Sequence, residues 1–210
     1  MTFKYIFMAG APGSKWSSVA KNIYYSPNID RTDYHDDRTY YHDASGKKEL
    51  MHLGAYWDPG MEFGKFFNNL SRYSKAECEA EFDRPFDKNS TGIRIVKSHV
   101  FANHIDYIKQ TWPESPIVLV HRSDDACLGW WVKCGHFDIT YPKYDRYYVD
   151  LKRMAFVIQR QNIGIMDAWL EHTGNIPSNN QALAQILGIA PPPEEYFQDY
   201  QQADIGVKVI

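Results

Sequence analysis

The sequence predicts a single α/β domain, a mostly parallel central sheet with helices covering both faces. Short apolar runs, FKYIFMA (3–9), GIRIVKSHV (92–100) and PIVLV (116–120), have the character of buried strands, and each is followed by a segment that can form a helix. Parallel strands need a crossover between them, so strands alternating with helices point to such a sheet. At 210 residues the chain suits one domain with its own core, and no repeat or low-complexity tract divides it.

The first strand run ends in glycine, and SSVAKNIYY behind it begins with a serine able to cap a helix. Residues 26–49 are polar and rich in turn formers. His35, Asp36, Asp37, His42 and Asp43 crowd there without a helical or hairpin register to aim them at one ion, so a solvated loop and no metal are expected. The stretch 52–70, HLGAYWDPGMEFGKFFNNL, mixes glycine with aromatics. It suits a loop that shapes a pocket before a helix over 63–73, or equally a linker and a core helix. Helices are expected through ANHIDYIKQTW and DACLGWWVKCG, behind the second and third strands. A long helix with apolar residues from Leu151 to Leu170 packs into the body and stops near Gly174. SNNQALAQILGIAPPP reads as one more capped helix ending at Gly188, and the tail beyond Pro193 as a surface extension.

Composition narrows the function. With 23 Lys and Arg against 26 Asp and Glu, the net charge of −3 lacks the basic footprint of a nucleic-acid binder, so any anion must be held locally. Cys78, Cys127 and Cys134 cannot all pair and show no C-x-x-C spacing, which favours a reducing compartment over a zinc site. No run approaches the roughly 18 apolar residues of a membrane span, and the first apolar stretch stops at Gly-Ala-Pro-Gly, unlike a signal peptide. A cytoplasmic protein with no membrane partner is expected.

Ligands of open parallel sheets bind at the carboxyl ends of the strands, and three charged motifs fall at such ends. In AGAPGSKWSSVAK (9–21), Gly10 and Gly13 let backbone N–H groups converge on an anion at the start of a helix. Lys15 adds charge, and Ser14, Ser17 and Ser18 add donors. A plain strand-to-helix turn explains the same glycines. Trp16 occupies the slot where a magnesium-dependent nucleotide triphosphatase has its lysine; an indole can stack on an adenine or close a pocket, and it can also be an ordinary core residue. In VKSHVF (96–101), period-two alternation sends Lys97 and His99 to one side, a cation beside a potential base. In PIVLVHRSDDACLGWW (116–131), Arg122 leaves a buried strand with a planar fork suited to phosphate. Asp124 and Asp125 there suit a helix cap better than a magnesium site. His104 and His121 read as structural.

In this order APGSKWSS, VKSHVF and IVLVHRSDDACLGWW resemble the P-loop sulfotransferases, which carry P-K-S-G-T-T-W, K-T-H-L-P and R-N-P-x-D-x-x-x-S at these places. The resemblance covers about residues 4–25 and 92–132. It implies a three-layer P-loop fold and transfer of a sulfuryl group from 3′-phosphoadenosine 5′-phosphosulfate to a hydroxyl or amine of a small molecule, glycan or peptide, without a metal. By position, His99 looks like the general base, with Lys97 and Lys15 stabilising charge. Ser14, Ser17, Ser18 and the loop amides around Gly13 would cradle the 5′-phosphate beside Lys15, Trp16 would flank the nucleotide or seal its pocket, and Arg122 would bind the 3′-phosphate. The family's 3′-phosphate serine falls on Gly129, so Ser123 stands as its replacement. Tyr56, Trp57, Trp130 and Trp131 are candidates for an aromatic acceptor slot. Two other classes compete: a deviant kinase with magnesium on Asp124 or Asp125, and a nucleotide-binding module without turnover.

Overall fold

A computed structural model describes residues 3–35, 53–134, 148–197 and 199–210. Asp36, Asp37, His42 and Asp43, discussed above as metal ligands, lie outside the described residues. In chain order the elements are β1 (Tyr5–Gly10), α1 (Trp16–Tyr24), α2 (Lys75–Asp83), β2 (Arg94–Lys97), α3 (Ile105–Thr111), β3 (Ile117–His121), α4 (Asp124–Lys133), α5 (Leu151–Glu171), α6 (Asn180–Ile186) and β4 (Gly206–Val209).

The sheet order is β2-β1-β3-β4, with β1 parallel to both neighbours and β4 antiparallel to β3. This is the expected α/β architecture, a mostly parallel open sheet flanked by helices. Every residue of β1 and β2 is buried, which is why β1 reads as an apolar run without alternation; in β2 the burial extends to the charged Arg94 and Lys97. The pleat nonetheless sorts them. Ile6, Met8, Val118 and Val120 enter one core with Trp16, Val19 and Ile23 of α1 and Leu183 of α6. Tyr5, Phe7, Ala9, Val96 and Leu119 enter the other with Phe82 of α2 and Ile105 and Ile108 of α3. The helix α5 serves both cores, through Met154 and Ile158 on one side and Ile165 and Ala168 on the other.

Local chemistry sets several ends. Asp150 caps α5 by accepting from the Arg153 N–H, and Asn179 caps α6 by accepting from Ala182. Ser74 and Glu77 form a reciprocal capping box on α2, a helix not anticipated from the sequence because only Cys78 and Phe82 of it are buried. Three expectations need correction. Residues 63–73 hold a 3₁₀ segment, Phe67–Arg72, interrupted at Asn69 (φ −141°, ψ 77°), instead of a helix. The tail is no surface extension: β4 closes the sheet edge, burying Val207 and Val209. The cap of α4 falls on Ser123, whose side chain makes no capping bond, with Asp124 and Asp125 in the first turn. Among the described residues no helix is long and apolar enough to cross a membrane.

Candidate functional site

Because β1, β2 and β3 run parallel, the loop after β1, the Lys97–His99 stretch that ends β2 and Arg122 after β3 all lie at the carboxyl ends of the strands, on one side of the sheet's long axis. The loop between β1 and α1 is tightly wound. Gly13 (φ 79°) and Lys15 (φ 58°) are both left-handed, and Ser14 N–H donates to the Ala11 carbonyl at 3.0 Å. Gly13 is pressed so close to α4 that a Cβ there would lie 2.0 Å from the Cys127 carbonyl oxygen. Lys15 holds the N-cap position of α1 without a side-chain cap, and the first turn has no acidic residue, so this helix end favours a negative charge. Ser14 Oγ is fully buried at the loop's centre and has no hydrogen-bond partner among the described residues. Ser17 and Ser18 are half-buried in the first turn of α1.

His99 lies on one side of this loop. It is 5 % exposed, its ring stacks on Trp16 at 4.0 Å and 14°, and the Tyr56 ring meets it edge-on at 5.4 Å. Nδ1 is bonded to the Gly10 carbonyl, which can only accept, so the hydrogen sits on Nδ1. In the neutral ring Nε2 therefore carries the lone pair, and it faces Asp58 Oδ2 at 3.9 Å.

Asp58 is the site residue that sequence reasoning missed. It is fully buried, and Oδ1 accepts from Ser98 Oγ at 2.8 Å and from the Val100 N–H at 3.3 Å. Burial pushes its carboxyl up to about 7, outweighing the opposing pull of the Tyr56 and Ser98 hydroxyls and two backbone amides. A carboxyl with a raised native pKa holds its proton where the unfolded chain has lost it, so stability falls as pH climbs from about 4 to about 7. Asp58→Asn is expected to remove that dependence. In urea unfolding, the variant should gain on wild type as pH rises through that window; a stability difference that does not change with pH would contradict the assignment.

Lys97 does not stand open beside His99. The strand ends at Lys97, and His99 begins a 3₁₀ turn, His99–Asn103. The Lys97 amine is buried and donates to the Leu53 carbonyl, and its pKa is lowered to about 8 by burial against the opposing pull of Asp33. Asp33 in turn accepts from the Ala55 N–H at 2.7 Å and the Tyr24 hydroxyl at 3.0 Å. Together these bonds pin residues 53–55 and so set Tyr56 and Asp58 against His99.

The cations gather on the other side of the loop. Lys15 Nζ sits 3.8 Å from the centroid of the half-buried Trp130 ring. Burial lowers its pKa, and the nearby charges of Arg122 and Lys133 add to that shift. Arg122 donates from Nε to the Ala203 carbonyl at 3.1 Å, and from Nη1 to those of Ala126 at 3.1 Å and Gly13 at 3.4 Å. Asp124 Oδ1 accepts from Asn162 Nδ2 at 2.6 Å. Ser123 is exposed.

Of the aromatic residues proposed to line an acceptor slot, Tyr56 reaches His99, Trp130 covers Lys15, and Trp131 is buried beside Tyr148. Trp57 belongs to the core instead: it stacks near Phe86 and donates Nε1–H to the Glu81 carbonyl at 3.0 Å. His104 and His121 are half-buried, and burial lowers the pKa of each. No family model, curated protein or solved structure matches the chain.

Proposed function

We propose that the chain is a P-loop sulfotransferase that moves a sulfuryl group from 3′-phosphoadenosine 5′-phosphosulfate to a hydroxyl or amine acceptor. One observation carries the reading: the three motifs that resemble the family's lie at the carboxyl ends of three adjacent parallel strands, β2, β1 and β3. The residues fit a polyanionic donor. The uncapped start of α1, the buried Ser14 hydroxyl and the cations Lys15 and Arg122 supply donors and positive charge in one place.

In the reaction the acceptor oxygen or nitrogen attacks sulfur as the bond from sulfur to the 5′-phosphate oxygen breaks. The acceptor's proton passes to Nε2 of His99, and adenosine 3′,5′-bisphosphate leaves. Lys15 is the loop cation for the charge on the leaving phosphate. Lys97 acts at one remove, by holding the segment that carries Tyr56 and Asp58.

A second reading, nucleotide binding without turnover, is favoured by the burial of His99 under Trp16. Absence of transfer to any acceptor despite tight binding would establish it. Calorimetry with adenosine 3′,5′-bisphosphate and 5′-AMP tests the shared premise. The 3′-phosphate is expected to tighten binding by about 10- to 100-fold, the worth of one or two charge-assisted hydrogen bonds. Equal affinity for the two would contradict both readings.

A further inference from the structure

The helix α5 carries an apolar line on its outer face. Phe156, Ile163 and Leu170 follow one another at intervals of seven residues and are 50 %, 55 % and 78 % exposed. Seven residues fall about 20° short of two turns, so the three side chains stay within a band of about 40°. Single exposed apolar residues are ordinary, whereas a line in helical register marks a contact surface.

The charges beside this line are ordered. At 3.6 residues per turn, Arg153, Arg160, Asp167 and Glu171 all lie on the same flank of it, and all four are exposed. The two cations occupy the N-terminal half and the two carboxylates the C-terminal half. Such a flank is complementary to itself when reversed. A two-fold axis perpendicular to a pair of antiparallel helices brings identical flanks together, with opposite halves facing. Arg160 then meets Asp167 of the second copy, Arg153 meets its Glu171, and Phe156 packs against its Leu170. A parallel pair would set the basic halves side by side and place this flank against Gln159 and Met166.

We propose that two copies of this chain pair antiparallel through α5, about a two-fold axis at Ile163. The inference does not depend on the proposed chemistry. A 21-residue helix is about 32 Å long, and one helix pair lies below the usual area of a stable interface, so association in the micromolar range is expected.

Sedimentation velocity from about 1 to about 200 µM should show a monomer–dimer equilibrium. Ile163→Asp should leave only monomer, with an unchanged circular dichroism spectrum. Arg160→Glu and Asp167→Arg should each weaken pairing by about 10-fold, and the double variant should restore it, because the two charges act across the axis. The register has its own test. With Cys134→Ser as background, Cys78 and Cys127 being buried, Ile163→Cys should cross-link to itself on mild oxidation while Phe156→Cys should not. A wild-type protein that stays monomeric over this range would overturn the proposal. So would a dimer that survives Ile163→Asp, a double variant no better than the singles, or cross-linking at position 156 instead of 163.

Discussion

A His99→Asn protein is expected to fold normally and to transfer sulfuryl groups about 10²- to 10⁴-fold more slowly than wild type, the usual contribution of a positioned general base. The choice of asparagine follows from the ring's bonding. Its side-chain N–H₂ can occupy the place of Nδ1 and keep the donation to Gly10, while the lone pair at Nε2 is lost. Thermal unfolding separates the two roles of the residue: a variant that melts near wild type but turns over slowly has lost chemistry alone. Transfer at the wild-type rate by the folded variant would remove His99 from the mechanism.

Gly13→Ala is expected to destabilise the protein by about 3 kcal/mol or more, because the position combines a disfavoured backbone with a severe clash. Its φ of 79° is poorly tolerated by residues with a Cβ, and the added methyl would overlap the Cys127 carbonyl in α4. Relief requires the loop and α4 to separate, which also pulls Gly13 O away from Arg122. Gly129 provides the contrast. It lies within α4, where an added Cβ would meet nothing within 4 Å, so Gly129→Ala should stabilise by up to about 1 kcal/mol through helix propensity. Denaturant unfolding of both variants checks the pair; a change at Gly13 under about 0.5 kcal/mol, the size of an ordinary surface substitution, would contradict the packing described.

The strands and the motifs that end them were legible because each couples a buried apolar run to charge at its carboxyl end, a pattern local in sequence. Asp58 was not. Its place beside His99 depends on Asp33 bonding 22 residues ahead to Ala55 and on Lys97 bonding 44 residues back to Leu53, and no local pattern encodes either contact. Tyr56 and Trp57 look equivalent as neighbouring aromatics, yet the extended chain sends them to opposite cores, so one reaches His99 and the other does not. Lys15 appeared displaced from the phosphate-binding position by its spacing alone. The backbone adds the reason its amine lies over Trp130: the residue is left-handed and begins the helix there. The strand β4 escaped notice because GVKV offers only four residues of alternation, and its partner β3 is remote in sequence.

Thermal unfolding with competing ligands decides whether the carboxyl ends of β2, β1 and β3 hold a 3′-phosphorylated adenine nucleotide, as proposed. Adenosine 3′,5′-bisphosphate at about 100 times its Kd should add about 2.7 kcal/mol to stability, which for a domain of this size raises Tm by roughly 5–10 °C. ATP with magnesium should move it far less. A shift as large with ATP and magnesium as with the bisphosphate, or no shift with either, would contradict a site built for the 3′-phosphate.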